Sequence, residues 1–267
     1  MNDLRLLSCG IVRIGTKGKR SMQLFIKIRL QEPLVLPLSY HHIVQAAIYE
    51  LVSSGDEEMG RLLHDEGASY EKRKYKLFCF SSLHGRSRVR NKRIAFSEYM
   101  YFEVRSVNED FIRVLNSEIR KKGIRFGEKR YPVEYTKVRQ RQIHQNRIQV
   151  RMLSPVTVRV TDPRSGESRS VAPWEDRFPG FINANFQRKY ESWYGVPPEE
   201  SVGISWTAID RKKDEYVTRY KGHYVCGWRG TYELTGSPEA LTFLYDTGIG
   251  SRNSQGFGMI ELEGDSE

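Results

Sequence analysis

Cysteine is scarce, with three residues in a chain of 267, at Cys9, Cys79 and Cys226. They lie far apart, form no CxxC pair and are odd in number, so no disulfide framework is expected and a reducing cytoplasm is the expected setting. No Cys/His cluster has the spacing of a zinc site, and neither a metal nor an organic cofactor is expected. No apolar run approaches the roughly 18 residues that cross a bilayer, so no membrane partner is expected. A signal peptide is absent as well: Arg5 interrupts the one early apolar stretch and no small-residue cleavage site follows. Gly15, Lys17, Gly18, Lys19 and Arg20 read as a loop, which makes residues 1–21 an N-terminal extension ahead of the first strand. Acid is in deficit too, at 33 Asp and Glu against 43 Lys and Arg, for a formal net charge of +10. That excess favours a polyanionic partner, of which nucleic acid is the commonest. The apolar fraction of 39% and aromatic fraction of 12% belong to a folded chain with a core.

Periodicity gives the order of elements. Leu24, Ile26 and Ile28 alternate with polar positions from Met22 to Arg29, which predicts a strand. After Pro33 and Pro37, Ser39 is placed to cap a helix in which Val44, Ala47, Ile48 and Leu51 recur at helical spacing, ending at Gly55. Asp56 caps a short second helix that closes near His64. Strands are predicted over Tyr75–Leu83 and Ile94–Arg105, then a helix capped by Asn108 and ending at Lys121, Lys122 and Gly123, then a strand over Tyr131–Val138. This order, β-α-β-β-α-β, is the ferredoxin-like motif. The second half repeats it. A strand over Ile148–Val160 precedes a helix around Glu175–Tyr194. Strands near Val202–Ile209 and His223–Glu233 follow, then a helix opened by Ser237-Pro238 and running to Tyr245, and a last strand over Phe257–Leu262. The expected fold is therefore α+β, two tandem ferredoxin-like domains covering residues 22–145 and 146–267, although periodicity alone also accommodates one larger α+β domain.

The most unusual segment is Gly248-Ile-Gly-Ser-Arg-Asn-Ser-Gln-Gly-Phe-Gly258. Four glycines in eleven positions permit positive φ and close approach of a ligand to the backbone. It is not a nucleotide loop, because no GxxxxGK[ST] is present and the segment follows a helix and enters a strand, the reverse of such loops. With Arg252 at its centre it favours an anion. Together with the helix before it, Leu153-Ser-Pro-Val156 and the stretch from Lys221-Gly-His-Tyr to Gly230, it resembles the C-terminal glycine motif of the RAMP superfamily. Within that superfamily the resemblance is to CRISPR-associated endoribonucleases that excise guide RNAs from repeat transcripts. It runs over nearly the whole chain from Met22.

The resemblance implies metal-independent RNA cleavage through the ribose 2′-OH, giving 2′,3′-cyclic phosphate and 5′-OH ends. Such a reaction needs a base, an acid for the departing 5′-oxygen and a cation for the charge on the phosphate. The family places a tyrosine on the first helix, a histidine after it and a lysine before the second strand. The matching residues here are Tyr49, His64 (in Leu63-His64-Asp-Glu) and Lys76. His64 at a helix C-terminus suits an imidazolium and so a general acid. Tyr49 stacks over Gln45 and His42; with an ordinary pKa of about 10 it is a poor base, and orienting the 2′-OH is an equal role. His41 and His42 are rival acid–base groups, their pKa values expected to be lowered at the helix N-terminus. Strand alternation puts Lys76 on the face of Phe78 and Phe80, at the rim of the sheet, with Lys72 and Lys74 as close substitutes.

Two basic runs offer an RNA surface. Arg86, Arg88, Arg90, Lys92 and Arg93 crowd one turn, and Arg139, Arg141, His144, Arg147 and Arg151 span the domain junction. Phe80, Tyr99 and Tyr101 could stack unpaired bases, although core positions are the commoner fate of such rings. Lying at the far end of the chain from the candidate acid and base, the glycine loop is assigned to backbone support and RNA contact in the second domain. Gly248, Gly250, Arg252, Asn253, Gly256 and Gly258 are its contact candidates. The partners implied are CRISPR repeat RNA, interference-complex subunits and a second copy of the chain. A non-catalytic RAMP subunit that holds guide RNA is the alternative to an enzyme.

Overall fold

The computed structural model describes residues 22–61, 63, 68–70, 73–162, 164, 166–220 and 222–264. The expected N-terminal extension, His64 and Lys72 lie outside the described residues. The first half runs β1 (Met22–Arg29), β2 (Leu34–Pro37), α1 (His41–Gly55), α2 (Glu57–Arg61), β3 (Ala68–Tyr70), β4 (Arg73–Tyr75) and β5 (Phe78–Phe80). It continues with β6 (His84–Arg90), β7 (Arg93–Ser106), α3 (Glu109–Lys122), β8 (Ile124–Phe126), β9 (Lys129–Tyr131) and β10 (Val133–Arg139). The second half runs β11 (Arg147–Met152), β12 (Arg159–Thr161), β13 (Ser168–Ser170), α4 (Phe178–Tyr194) and β14 (Gly203–Ala208). It ends with β15 (Glu215–Tyr220), β16 (His223–Trp228), β17 (Thr231–Thr235), α5 (Pro238–Thr247) and β18 (Ile260–Leu262).

Each half forms its own antiparallel sheet. The first has the order β10-β1-β7, with β5, β6 and β2 also paired to the long β7; the second has the order β14-β17-β11-β18. The chain thus folds as two tandem ferredoxin-like units. In β1 the alternation works as the period-2 pattern requires: Leu24, Ile26 and Ile28 are fully buried under α1 and α3, while Phe25 and Lys27 lie on the other face. Asn108 caps α3 by accepting from the Asp110 and Phe111 amides, and Ser237 caps α5 by accepting from Ala240, with Pro238 in its first turn. Among the described residues no helix is long and apolar enough to cross a membrane.

Four local expectations differ from the structure, each for a backbone reason. The N-cap of α1 is Tyr40 with no side-chain cap bond, and Ser39 contributes only its carbonyl, which accepts from His42 Nδ1 at 2.8 Å. Leu77 has φ +43°, so β5 begins only at Phe78 and Lys76 is not part of its alternation. The strand expected over 148–160 leaves the sheet after Met152, where Ser154 Oγ turns to accept from the Met259 amide. The strand expected over 223–233 breaks at Gly230, φ +100°. Its first part pairs with β15 as a hairpin, and its second joins the sheet as β17.

The two halves interlock. Arg105 of β7, 2% exposed, donates to the Ile260 carbonyl and to Glu103, and its guanidinium lies 3.9 Å from the Tyr245 ring centre. Gln23 donates to Tyr245 Oη, and the Ser82 amide to the Leu153 carbonyl. Leu77 and Val107 of the first half are buried within the core of the second.

Candidate active site and RNA interface

His41, Gln45 and Tyr49 recur every four residues, so α1 presents them as one stripe. That stripe faces the glycine loop. The His41 ring lies 4.8 Å from that of Phe257, and Gln45 Nε2 donates to the Ser254 carbonyl at 2.7 Å and to Tyr49 Oη at 3.3 Å. Lys76 crosses Tyr49, its Nζ 5.0 Å from the ring centre, and donates to the carbonyl of Leu63. Two of the three residues implied by the resemblance therefore touch, and the lysine is bonded to the residue that precedes the third.

Electrostatics sort the acid–base candidates. Burial pushes the Tyr49 phenol well above the ordinary tyrosine range. At neutral pH Tyr49 is a phenol and not a phenolate. His41 is 2% exposed, and burial followed by the nearby Arg229 charge lowers its pKa to about 4. It stacks on Tyr216, whose hydroxyl is 3.4 Å from its Nε2. The expected lowering thus holds for His41, with burial as its largest cause, and its enclosed ring is neutral at neutral pH.

The His41 shift makes a stability prediction. Its folded pKa is depressed from 6.5, so between about pH 6.5 and 4 the unfolded chain takes up a proton that the fold refuses. Stability is then lost as pH falls through that window, by about 3 kcal/mol from this group. His41→Phe should flatten the fall of Tm over that range in thermal scans. Parallel curves for the two proteins would contradict it.

The glycine loop is filled by its own side chain. Asn253 Nδ2 donates to the carbonyls of Ile249 and Phe257, both at 3.0 Å, and Asn253 Oδ1 accepts from Lys189 Nζ at 3.2 Å. Lys189, from α4, also donates to the Gly248 carbonyl, and burial lowers its pKa to about 7. A Cβ at Gly248 or Gly258 would sit 2.7 Å from Asn253 Nδ2, and one at Gly256 2.4 Å from Phe80. Gly248, Gly250, Gly256 and Gly258 are buried against protein, whereas Arg252 and its neighbours Ser251, Ser254 and Gln255 are half-exposed. Nor is the loop remote from the candidate catalytic residues, since Gln45 and Ser254 tie it to Tyr49.

The basic runs occupy two places. Arg86, Arg88, Arg90, Lys92 and Arg93 are exposed along the β6–β7 hairpin, whose turn residues Asn91 and Lys92 have φ of +49° and +57°; Arg86 pairs with Glu98. Arg139, Arg141 and Arg151 line a cleft of about 1150 Å³ between the halves, with His84, Tyr101 and Arg229. Acidic groups share it: Glu103 pairs with Arg105, and Glu261 with Arg151. Arg147 pairs instead with Glu233, outside the cleft lining. The rings divide as well. Phe80 is fully buried, whereas Tyr101 lies on the open sheet face, stacked between Phe25 at 5.5 Å and His84 at 5.4 Å, and Tyr99 is 37% exposed beside it.

Two tandem ferredoxin-like units thus meet at a seam to which the C-terminal glycine loop contributes. Residues 136–262 match the family described as CRISPR associated protein Cas6, C-terminal. The chain is 26% identical over 234 residues to the CRISPR-associated endoribonuclease Cas6 of Pyrococcus furiosus, covering 86% of this chain and 84% of that one. It is 24% identical over 250 residues to the CRISPR-associated endoribonuclease Cas6 1 of Methanocaldococcus jannaschii, covering 91% and 93%. Its fold is shared with a Cas6-related protein from Pyrococcus furiosus, at a TM-score of 0.78 and 20% identity, over 92% of this chain and 100% of that one. Its C-terminal part thus matches the Cas6 C-terminal family, and over most of its length the chain is similar to Cas6 endoribonucleases.

Proposed function

We propose that this chain is a Cas6-type, metal-independent endoribonuclease that cuts CRISPR repeat RNA into guide RNAs in the cytoplasm. The 2′-oxygen attacks the adjacent phosphorus, the P–O5′ bond breaks, and the products carry a 2′,3′-cyclic phosphate and a 5′-OH. His64 protonates the departing 5′-oxygen. Lys76 offsets the charge that builds on the phosphate. Tyr49, kept protonated by its burial, orients the 2′-OH instead of deprotonating it, and the 2′-OH proton passes to solvent. The observation that carries this reading is the contact of Lys76 with both the Tyr49 ring and the carbonyl of Leu63, next in sequence to His64. The basic hairpin and the cleft supply phosphate contacts, and Tyr101 with Tyr99 offers faces for unpaired bases.

One observation favours a binding-only role, as a RAMP subunit holding guide RNA: a buried phenol with a raised pKa is no general base. The two readings separate on incubation of repeat RNA with the protein in EDTA. Fragments with cyclic phosphate and 5′-OH ends are the expected result. RNA that is bound and uncut would support the subunit.

A further inference from the structure

Tyr49 belongs to the first domain and the glycine loop to the second, yet Gln45 and Ser254 leave no gap between them. We propose that Gln45 and Ser254 are positioning residues for Tyr49, so that the C-terminal domain sets the geometry of the site on α1. The inference rests on the reading above, in which Tyr49 takes part in cleavage.

Gln45 sits one turn before Tyr49 and is 9% exposed, and every group of its amide is engaged. Its Oε1 accepts from the Tyr220 hydroxyl, while its two N–H groups go to the Ser254 carbonyl at 2.7 Å and Tyr49 Oη at 3.3 Å. Turning the amide over would set Oε1 against the Ser254 carbonyl, acceptor facing acceptor, so its orientation is fixed. Ser254 therefore acts on Tyr49 through Gln45, by the carbonyl that fixes the amide. Lys76 lies over the ring, and Phe78 meets it edge-on at 6.1 Å. The phenol oxygen is thus held by Gln45, which the second domain fixes through the Ser254 carbonyl and the Tyr220 hydroxyl.

Ser254 is itself held in place. Its neighbour Asn253 is pinned to Ile249, Phe257 and the buried Lys189, and the absence of a Cβ at Gly256 lets the loop close on Phe80. A path of fixed contacts therefore runs Lys189–Asn253–Ser254–Gln45–Tyr49. This assigns the four glycines a catalytic consequence without direct contact with RNA: they let the loop approach α1 closely enough to hold the tyrosine.

The test is a double-mutant cycle read by single-turnover cleavage and by RNA affinity. Gln45→Met keeps the volume and removes the hydrogen bonds. It should slow cleavage by about tenfold or more, with the RNA Kd within about twofold, as misplacement of a reacting group does. Gln45→Met combined with Tyr49→Phe should be no slower than Tyr49→Phe alone. Additive losses in the double variant would overturn the inference, as would a wild-type rate for Gln45→Met beside a slow Tyr49→Phe. A wild-type rate for Tyr49→Phe would overturn the role of Tyr49 and this inference with it. Should Gln45→Met fail to fold, Tyr220→Phe, which removes the hydroxyl that donates to Gln45 Oε1 and frees the amide to turn, should slow cleavage by about threefold or more. A wild-type rate there would equally count against the proposal.

Discussion

Replacing His64 with alanine is expected to slow cleavage of repeat RNA by about 10²–10⁴-fold, the usual contribution of a positioned general acid or base. The RNA Kd should stay within about twofold, because one imidazole is a small part of a surface that gathers many phosphate contacts. The departing 5′-oxygen is a poor leaving group as an alkoxide, so the loss should fall on the chemical step and not on binding. Lys76→Ala should cost less. In the proposed mechanism its ammonium lowers the barrier by electrostatics alone, a share that other cations on the same surface can partly replace. Wild-type cleavage by His64→Ala would remove the histidine from the mechanism. A large loss of RNA affinity would make it a binding residue.

Gly258→Ala is expected to be the most damaging single methyl group in the protein. The residue has φ +76°, and an added Cβ would lie 2.0 Å from the Ile249 carbonyl oxygen and 2.7 Å from Asn253 Nδ2. Left-handed backbone costs an alanine about 1–2 kcal/mol. The clash with a backbone oxygen adds to this, because that carbonyl accepts from Asn253 and cannot withdraw without opening the loop. A loss of at least about 3 kcal/mol is expected, or a fall in Tm of about 6–12 °C for a chain of this size. Cleavage should fall further than stability explains at a temperature where the variant is folded, since the loop holds Ser254 against Gln45, which bonds Tyr49. Gly127→Ala is the control. It has φ +65° with nothing within 4 Å of the added methyl, so it should cost only the backbone term and leave cleavage unchanged. Equal Tm values for the two variants would show that the packing around Asn253 is not what the glycines serve.

Local signals were legible where one short segment decides the outcome. Asn108 and Gly123 bracket α3, Ser237-Pro238 opens α5, and the alternation of β1 puts Leu24, Ile26 and Ile28 in the core. The tandem order followed from the succession of such segments. The catalytic candidates were not legible in this way: Tyr49, His64 and Lys76 came from the resemblance, because no local pattern separates a catalytic tyrosine from one at the edge of a core. Lys76 was misplaced on a strand because no sequence pattern announces a positive φ at Leu77. That Asn253 fills the glycine loop was not legible, because it looks like any loop asparagine until the chain closes around it. Gln45 was visible as the residue one turn before Tyr49, but its partners Ser254 and Tyr220 are 209 and 175 residues away in sequence. Contacts of that range are a product of domain docking and have no periodic signature.

Metal-independent cleavage through the ribose 2′-OH is the central claim, and one substrate tests it most directly: repeat RNA with a single 2′-deoxy nucleotide 5′ to the scissile phosphate, incubated with the protein in EDTA. The unmodified RNA should be cut to a 2′,3′-cyclic phosphate and a 5′-OH, while the modified RNA should bind with unchanged Kd and remain whole. Cutting of the modified RNA at the same bond, or cutting of the unmodified RNA that stops in EDTA and returns with added divalent metal, would contradict it.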